Sequence, residues 1–196
     1  MRTRIVRIGA ILLGAGLYVG VAAAPAAAQQ VIPAGHVREG KLSFDGHATT
    51  GDFEGATTTV SGEMHGGPSL ADVRGSVEAP VTTLKTGNGH RDRDLNGSLE
   101  SARYPTMRYD LTRVIPGPAV EGGQQATLLG RLTIHGVTRE EQLTAVLHPL
   151  PGAVRITTSF QLDLADYHVG GLTKMLGLLR MDREIQVHVD VTFAAP

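Results

Sequence analysis

From Ile185 to Phe193 the chain alternates without a break. Ile185, Val187, Val189, Val191 and Phe193 are apolar, and Gln186, His188, Asp190 and Thr192 between them are polar. A period of two is the mark of a strand with one buried face and one wet face. The pattern recurs. Val154, Ile156, Thr158, Phe160, Leu162 and Leu164 alternate with Arg155, Thr157, Ser159, Gln161 and Asp163. Met107, Tyr109 and Leu111 alternate with Arg108, Asp110 and Thr112, and Leu143, Ala145 and Leu147 continue the series. Residues 128–134 follow it less cleanly, because Leu129 breaks the phase. Segments 41–49, 53–65 and 72–84 read as strands rich in Thr, Val and Ser.

Turn residues separate these runs. They are Gly66-Gly67-Pro68, Pro116-Gly117-Pro118, Gly122-Gly123, His135-Gly136 and Pro151-Gly152. Roughly eight strands with short connections make an antiparallel meander. Such a sheet removes its exposed edges by closing into a barrel, and eight strands enclose side chains or one small ligand. The fold class is therefore all-β. Two segments depart from the alternation. Residues 88–101 form a charged loop or short helix. At 170–180, Leu172, Met175, Leu176 and Leu179 fall at i, i+3, i+4 and i+7, the template of an amphipathic helix. In a barrel protein that face would pack over an open end, as a lid on a ligand cavity or as a plug completing the core.

The N-terminus reads as a cleavable leader. Arg2, Arg4 and Arg7 precede an apolar run from Ile8 to about Ala24, and Ala26 and Ala28 fit the small-x-small rule. Cleavage is expected after Ala28, with Ala24 the weaker site. This leaves 29–196 as one domain and places it in the periplasm or outside the cell. Without the three leader arginines, 15 of the 18 basic residues face 19 acidic ones, a net charge of −4. A mildly acidic chain with no basic stripe is a poor nucleic-acid binder. With no Cys in the chain, stability must come from the core and hydrogen bonds rather than disulfides.

Motifs of catalysis are absent: no nucleophile elbow, P-loop, dinucleotide fingerprint or H-E-x-x-H. His65-Gly66-Gly67-Pro68 reads as a turn, since an oxyanion loop needs a nucleophile beside it. The eight His are scattered with no pair at i, i+2 or i, i+4, and no metal is expected. His90-Arg91-Asp92-Arg93-Asp94 is the densest charged cluster. It reads first as an internal ion-pair set that fixes the loop. The second reading is a mouth taking a phosphate-bearing headgroup through Arg91 and Arg93.

Several segments resemble the YceI-like proteins, bacterial polyisoprenoid-binding barrels of lipocalin-like form. His47 with Gly51-Asp52-Phe53-Glu54-Gly55 is similar to the family's H…G-x-F-x-G opening. Arg91-Asp92-Arg93-Asp94-Leu95, followed by Tyr104-Pro105-Thr106-Met107-Arg108-Tyr109, is similar to R-D-x-H-L…Y-P-x-[IM]-x-[FY]. Gly130-Arg131-Leu132-Thr133-Ile134-His135-Gly136-Val137-Thr138-Arg139 is similar to G-x-L-T-I-x-G-V-T-[KR]. Two positions depart: Asp94 stands for the family His, and Asp166-Tyr167-His168-Val169 for D-[FY]-G-[IMV]. The matches run in order from about Gly40 to Phe193.

The resemblance implies an extended eight-stranded antiparallel barrel around an apolar tunnel, a long isoprenoid as ligand, no enzymatic activity and export. Phe44, Tyr109, Leu132, Phe160 and Leu162 would line the tunnel, with Leu172, Met175, Leu176 and Leu179 as its cover. A homodimer is possible on the same ground. The competing expectation is a stress-related interaction protein whose barrel interior is filled.

Overall fold

The computed structural model describes residues 34–170, 173–174 and 179–195. The expected leader, 1–28, lies outside them. The strands are β1 (Gly35–Ala48), β2 (Gly51–Thr57), β3 (Ser61–His65), β4 (Arg74–Pro80), β5 (Thr106–Val120), β6 (Gly123–Ile134), β7 (Val137–Leu150), β8 (Ala153–Asp163), β9 (Thr173–Lys174), β10 (Leu179–Arg180) and β11 (Glu184–Ala194), with one helix, α1 (Gly89–Ser98), between β4 and β5. Apart from β9 and β10 they form one antiparallel sheet, which the β11–β1 ladder closes.

β2 and β3 are two pieces of one barrel strand. Leu42 of β1 faces Thr57 of β2, and Gly35 of β1 faces Met64 of β3, so both pieces hold the same register against β1. Residues 58–60 interrupt the ladder without shifting it. Counting β2 and β3 together gives eight strands in a closed antiparallel barrel, the architecture expected from the alternation.

The register obeys the sequence period. On β11, Ile185, Val187, Val191 and Phe193 are buried, and Val189 packs beside them. On β8, Val154 and Leu162 are buried while Ile156, Thr158 and Phe160 face the barrel interior. Arg155, in the opposite phase, sits outside and grips Asp190 of β11 with two hydrogen bonds, the longer at 2.8 Å. The β6–β7 connection is His135-Gly136, both with positive φ (52° and 74°). That is the two-residue type I′ turn whose twist suits paired strands.

Two seams of the barrel splay at the same end. The β7–β8 ladder runs only from Ala145↔Thr158 to Leu150↔Ala153, so the start of β7 and the end of β8 are not paired. The 3-10 turn Leu164–Tyr167 fills this gap. Tyr167 is fully buried, its hydroxyl donates to Glu141 Oε1 at 2.9 Å, and its carbonyl accepts from His135 Nδ1 at 3.1 Å. The turn ends on His168 at φ 54°, a left-handed position where the family pattern has glycine. The second seam lies between β2–β3 and β4. There the ladder breaks between Ser61↔Glu78 and an isolated bridge at Ala56↔Lys85. The hydroxyls of Thr57 and Thr83 close it at 2.8 Å.

α1 grows from the loop after this second seam. Asn88 caps it, its side-chain oxygen accepting from the amides of His90 and Arg91 at 2.9 and 3.2 Å. No residue of Gly89–Ser98 is β-branched, so no stiff side chain crowds the turns. Leu95 and the buried Leu99, four residues apart, anchor the helix on the barrel core. The far end of the barrel is solid. Val114, Ala126, Ala145, Leu147, Val154 and Phe193 pack there as a second cluster.

The helix expected over 170–180 is corrected. Lys174 pairs with Leu179, and Thr173 with Arg180, as a short antiparallel ladder. Arg180 then docks on the β1–β2 turn: its carbonyl accepts from Thr49 N, and its amide donates to Thr49 Oγ1, both at 2.9 Å. Short apolar runs fit either period. A helix here would hold Gly177 in its interior at about 1 kcal/mol, over a length that is marginal in isolation. Strand pairing satisfies the same backbone groups against an existing edge. Leu172, Met175 and Leu176, with the side chain of Leu179, lie outside the described residues.

Candidate functional site

The barrel holds an internal cavity of about 470 Å³ beneath α1, within the range of small-molecule sites. Phe44, Tyr109, Leu132, Phe160 and Leu162, the five strand residues expected to line a tunnel, all border it. Leu128, Leu143, Val191 and Phe193, all members of the second cluster, also line it, so that cluster forms part of its wall. The sequence reading missed Phe53, Leu84, Leu95, Leu99 and Met181, which also line it. The four-residue spacing of Leu95 and Leu99 within the charged segment was the available signal.

Glycines make room for the rings. Phe44 faces Gly55 and Phe53 faces Gly46 across the β1–β2 ladder. A Cβ on Gly55 would meet Phe44 Cε1 at 2.3 Å, and one on Gly46 would meet Phe53 Cζ at 2.6 Å. Each ring therefore takes the space of the missing side chain, and the two rings meet edge to face with centroids 6.1 Å apart. Tyr109 uses Gly130 the same way, at 2.5 Å from the Tyr109 Cζ. This gives the Gly51–Gly55 and Gly130 motifs a physical reason. Tyr109 donates to the Leu128 carbonyl at 3.1 Å. Burial, then the Glu141 carboxylate, pushes its phenol up, so it stays neutral.

At the α1 end the polar lining residues are Thr49, Thr50, Thr86, Asn88, His90, Arg91, Asp94, Ser98 and Arg180, and on the strands Ser43, Glu63, Ser76, Glu78, Arg108 and Thr158 also border the cavity. The structure separates the two arginines of the charged cluster. Arg91 lines the opening, its guanidinium carbon 4.2 Å from the Phe53 ring centroid. Arg93 is exposed, does not line the cavity, and lies 2.6 Å from His90 Nδ1 through its Nη2.

Asp92 ties the helix to the rim. Its Oδ1 accepts from Thr86 Oγ1 at 2.7 Å and from Thr86 N at 2.8 Å. The hydroxyl bond first, then the amide bond, holds the carboxyl below its ordinary value of 3.8. A depressed carboxylate stabilises the fold fully above the ordinary value and loses that contribution as pH falls through the depressed one. Acidification below about pH 4 is therefore expected to loosen the Thr86–Asp92 link. The Thr86 amide protection factor, corrected for intrinsic exchange, should drop over that window in the parent and stay flat in Asp92→Asn. An equal drop in both would refute the link.

One other constellation has catalytic connectivity. Ser159 Oγ lies 2.8 Å from His188 Nδ1, and His188 Nε2 lies 3.0 Å from Asp45 Oδ2. It sits on the outer face of β8, β11 and β1, with the His188 and Asp45 side chains 41% and 62% exposed. None of the three lines the cavity. A nucleophile needs a concave site with donors for the developing oxyanion, so the row reads as cross-strand hydrogen bonding. Among the described residues no group of three or more His, Cys, Asp or Glu is placed to hold a metal ion.

A family model described as the YceI-like domain matches residues 36–193. No curated protein matches the chain. Among solved structures, the chain is similar to BcnA of Burkholderia cenocepacia (TM-score 0.66, 16% identity, 78% of this chain and 95% of that one). It is similar to a polyisoprenoid binding domain from Saccharophagus degradans, described as implicated in plant cell wall breakdown (0.68, 17%, 84% and 100%). It is also similar to the YceI protein of Campylobacter jejuni (0.58, 17%, 72% and 84%). At these identities the likeness is one of fold.

Proposed function

The chain belongs to the YceI-like domain family, and from that premise we propose that it carries or sequesters one long-tailed isoprenoid lipid inside its barrel, in the periplasm or outside the cell, after removal of residues 1–28. The cavity carries this reading. It is about 470 Å³ and walled mostly by Phe, Leu, Ile, Val and Met side chains, with a few polar residues such as Ser76 and Thr158 among them. Burial of each methylene contributes about 0.8 kcal/mol, so a long aliphatic chain binds there without any specific polar contact. The fold neighbour described as a polyisoprenoid binding domain supports the ligand class. The cavity also counts against a barrel whose interior is filled by its own side chains.

The test is mass spectrometry of organic extracts from freshly purified protein, parent and Val189→Trp side by side. Val189 is partly buried and lines the cavity, so indole at that position takes ligand volume. The parent is expected to release an isoprenoid near one per chain. The variant should release none and keep its cooperative unfolding. A clean extract from several parent preparations, with no uptake of added geranylgeraniol, would sink the carrier reading in favour of the filled barrel.

A further inference from the structure

Most of the cavity wall is apolar, and at its α1 end the guanidinium groups of Arg91 and Arg180 border the opening. Arg91 lies over the Phe53 ring and borders the opening. Arg180 borders the same opening and is held there by its backbone bonds to Thr49. Among the described residues neither has a carboxylate within ion-pair distance. Of the other described arginines, Arg38, Arg103, Arg108, Arg139, Arg155 and Arg183 pair with Glu39, Glu100, Glu78 and Asp110, Asp166, Asp190 and Asp163, while Arg74, Arg93, Arg113 and Arg131 have no carboxylate within ion-pair distance among the described residues and none of these four lines the cavity. Asp94 also borders the opening.

We propose that this rim selects a lipid with an acidic headgroup, a phosphate monoester or a carboxylate, which Arg91 and Arg180 bind while the chain fills the cavity. The proposal rests on the carrier reading and specifies its ligand. The planar guanidinium fork matches two oxygens of an acid at once. Arg91 is further oriented by its stacking on Phe53, which keeps the fork in place before the ligand arrives. A neutral alcohol offers one oxygen and no charge. A free phosphate lacks the chain that supplies the apolar burial.

The experiment measures binding of geranylgeranyl monophosphate, geranylgeranoic acid and geranylgeraniol to delipidated mature protein, with inorganic phosphate as competitor. The two acids are expected to bind at least tenfold more tightly than the alcohol, roughly the worth of one or two charge-assisted contacts at a wet rim. The difference should shrink as salt is raised. Arg91→Gln and Arg180→Gln should each weaken binding of the acids several-fold more than binding of the alcohol, and the double variant should abolish the preference. Arg91→Lys should fall between, because it keeps the charge and loses the fork. Unfolding midpoints of all variants confirm that the barrel is intact. Equal affinity for acid and alcohol in the parent overturns the proposal, as does a preference that survives the double variant. Displacement of the acid lipids by millimolar inorganic phosphate also overturns it, since the rim would then be a site for the free ion. Failure of all three lipids to bind removes the carrier reading and the headgroup with it.

Discussion

Tyr167→Ala is expected to lower the free energy of unfolding by about 3–5 kcal/mol, the range for truncating a buried aromatic ring. Tyr167 has no exposed surface, and it stands where the β7–β8 ladder has already stopped. No strand pairing can close behind it, so the void persists. Removing the ring also strips Glu141 of the donor that meets its Oε1 at 2.9 Å. Burial and the Glu141 carboxylate both push this phenol up, which keeps the proton on the hydroxyl and the bond in place across the physiological range. Tyr167→Phe separates the contributions: it keeps the ring, removes the hydroxyl, and should cost about 1 kcal/mol. Urea midpoints at unchanged m-value check both. Equal losses in the two variants would mean that the hydroxyl, not the ring, fills the seam.

Gly136→Val should cost about 3–4 kcal/mol, from two sources that a second variant tells apart. The first is backbone strain. Gly136 has φ +74°, and a β-branched residue in the left-handed region is opposed by about 1–2 kcal/mol. The second is contact. A Cβ there would lie 2.3 Å from Tyr104 Cε1 and 2.9 Å from Tyr104 Cδ1 and Cζ. The ring would have to leave its edge-to-face contact with His135, whose centroid is 4.8 Å away. Gly152, at the β7–β8 turn, has φ +70° with nothing within 4 Å of the added Cβ. Gly152→Val therefore carries the strain alone. Its loss should be no more than half that of Gly136→Val in the same urea titration. Equal losses would show that Tyr104 yields at no cost and that the G-V-T turn needs glycine for its backbone only.

The alternation on β8 and β11 was enough to predict which side chains face inward, because the period of a strand is local and a single register error would turn every apolar residue outward. The same holds for Tyr109 and Leu132, which pair directly across β5 and β6. The cavity-lining strand residues were legible for that reason. Residues 170–180 were not. Their apolar spacing satisfies a helix as well as a hairpin, and the choice depends on Thr49, more than a hundred residues away in sequence, offering its backbone and hydroxyl to Arg180. Arg93 was placed beside Arg91 by sequence proximity, but two residues along a helix turn the side chain by about 200°, and only Arg91 reaches the rim.

The sequence by itself determined an all-β chain, the inward set of β8 and β11, the break at His135-Gly136 and a charged loop or short helix over 88–101. These follow from periods and backbone preferences that neighbouring residues impose on one another. Tertiary structure alone decided that two seams splay at one end, that Tyr167 fills one while Thr57 and Thr83 bridge the other, that the glycines opposite Phe44 and Phe53 make room for the rings, and that Arg180 joins Arg91 at the opening. Each of these depends on which strands stop pairing and where, a property of closing the sheet into a barrel that no local pattern encodes.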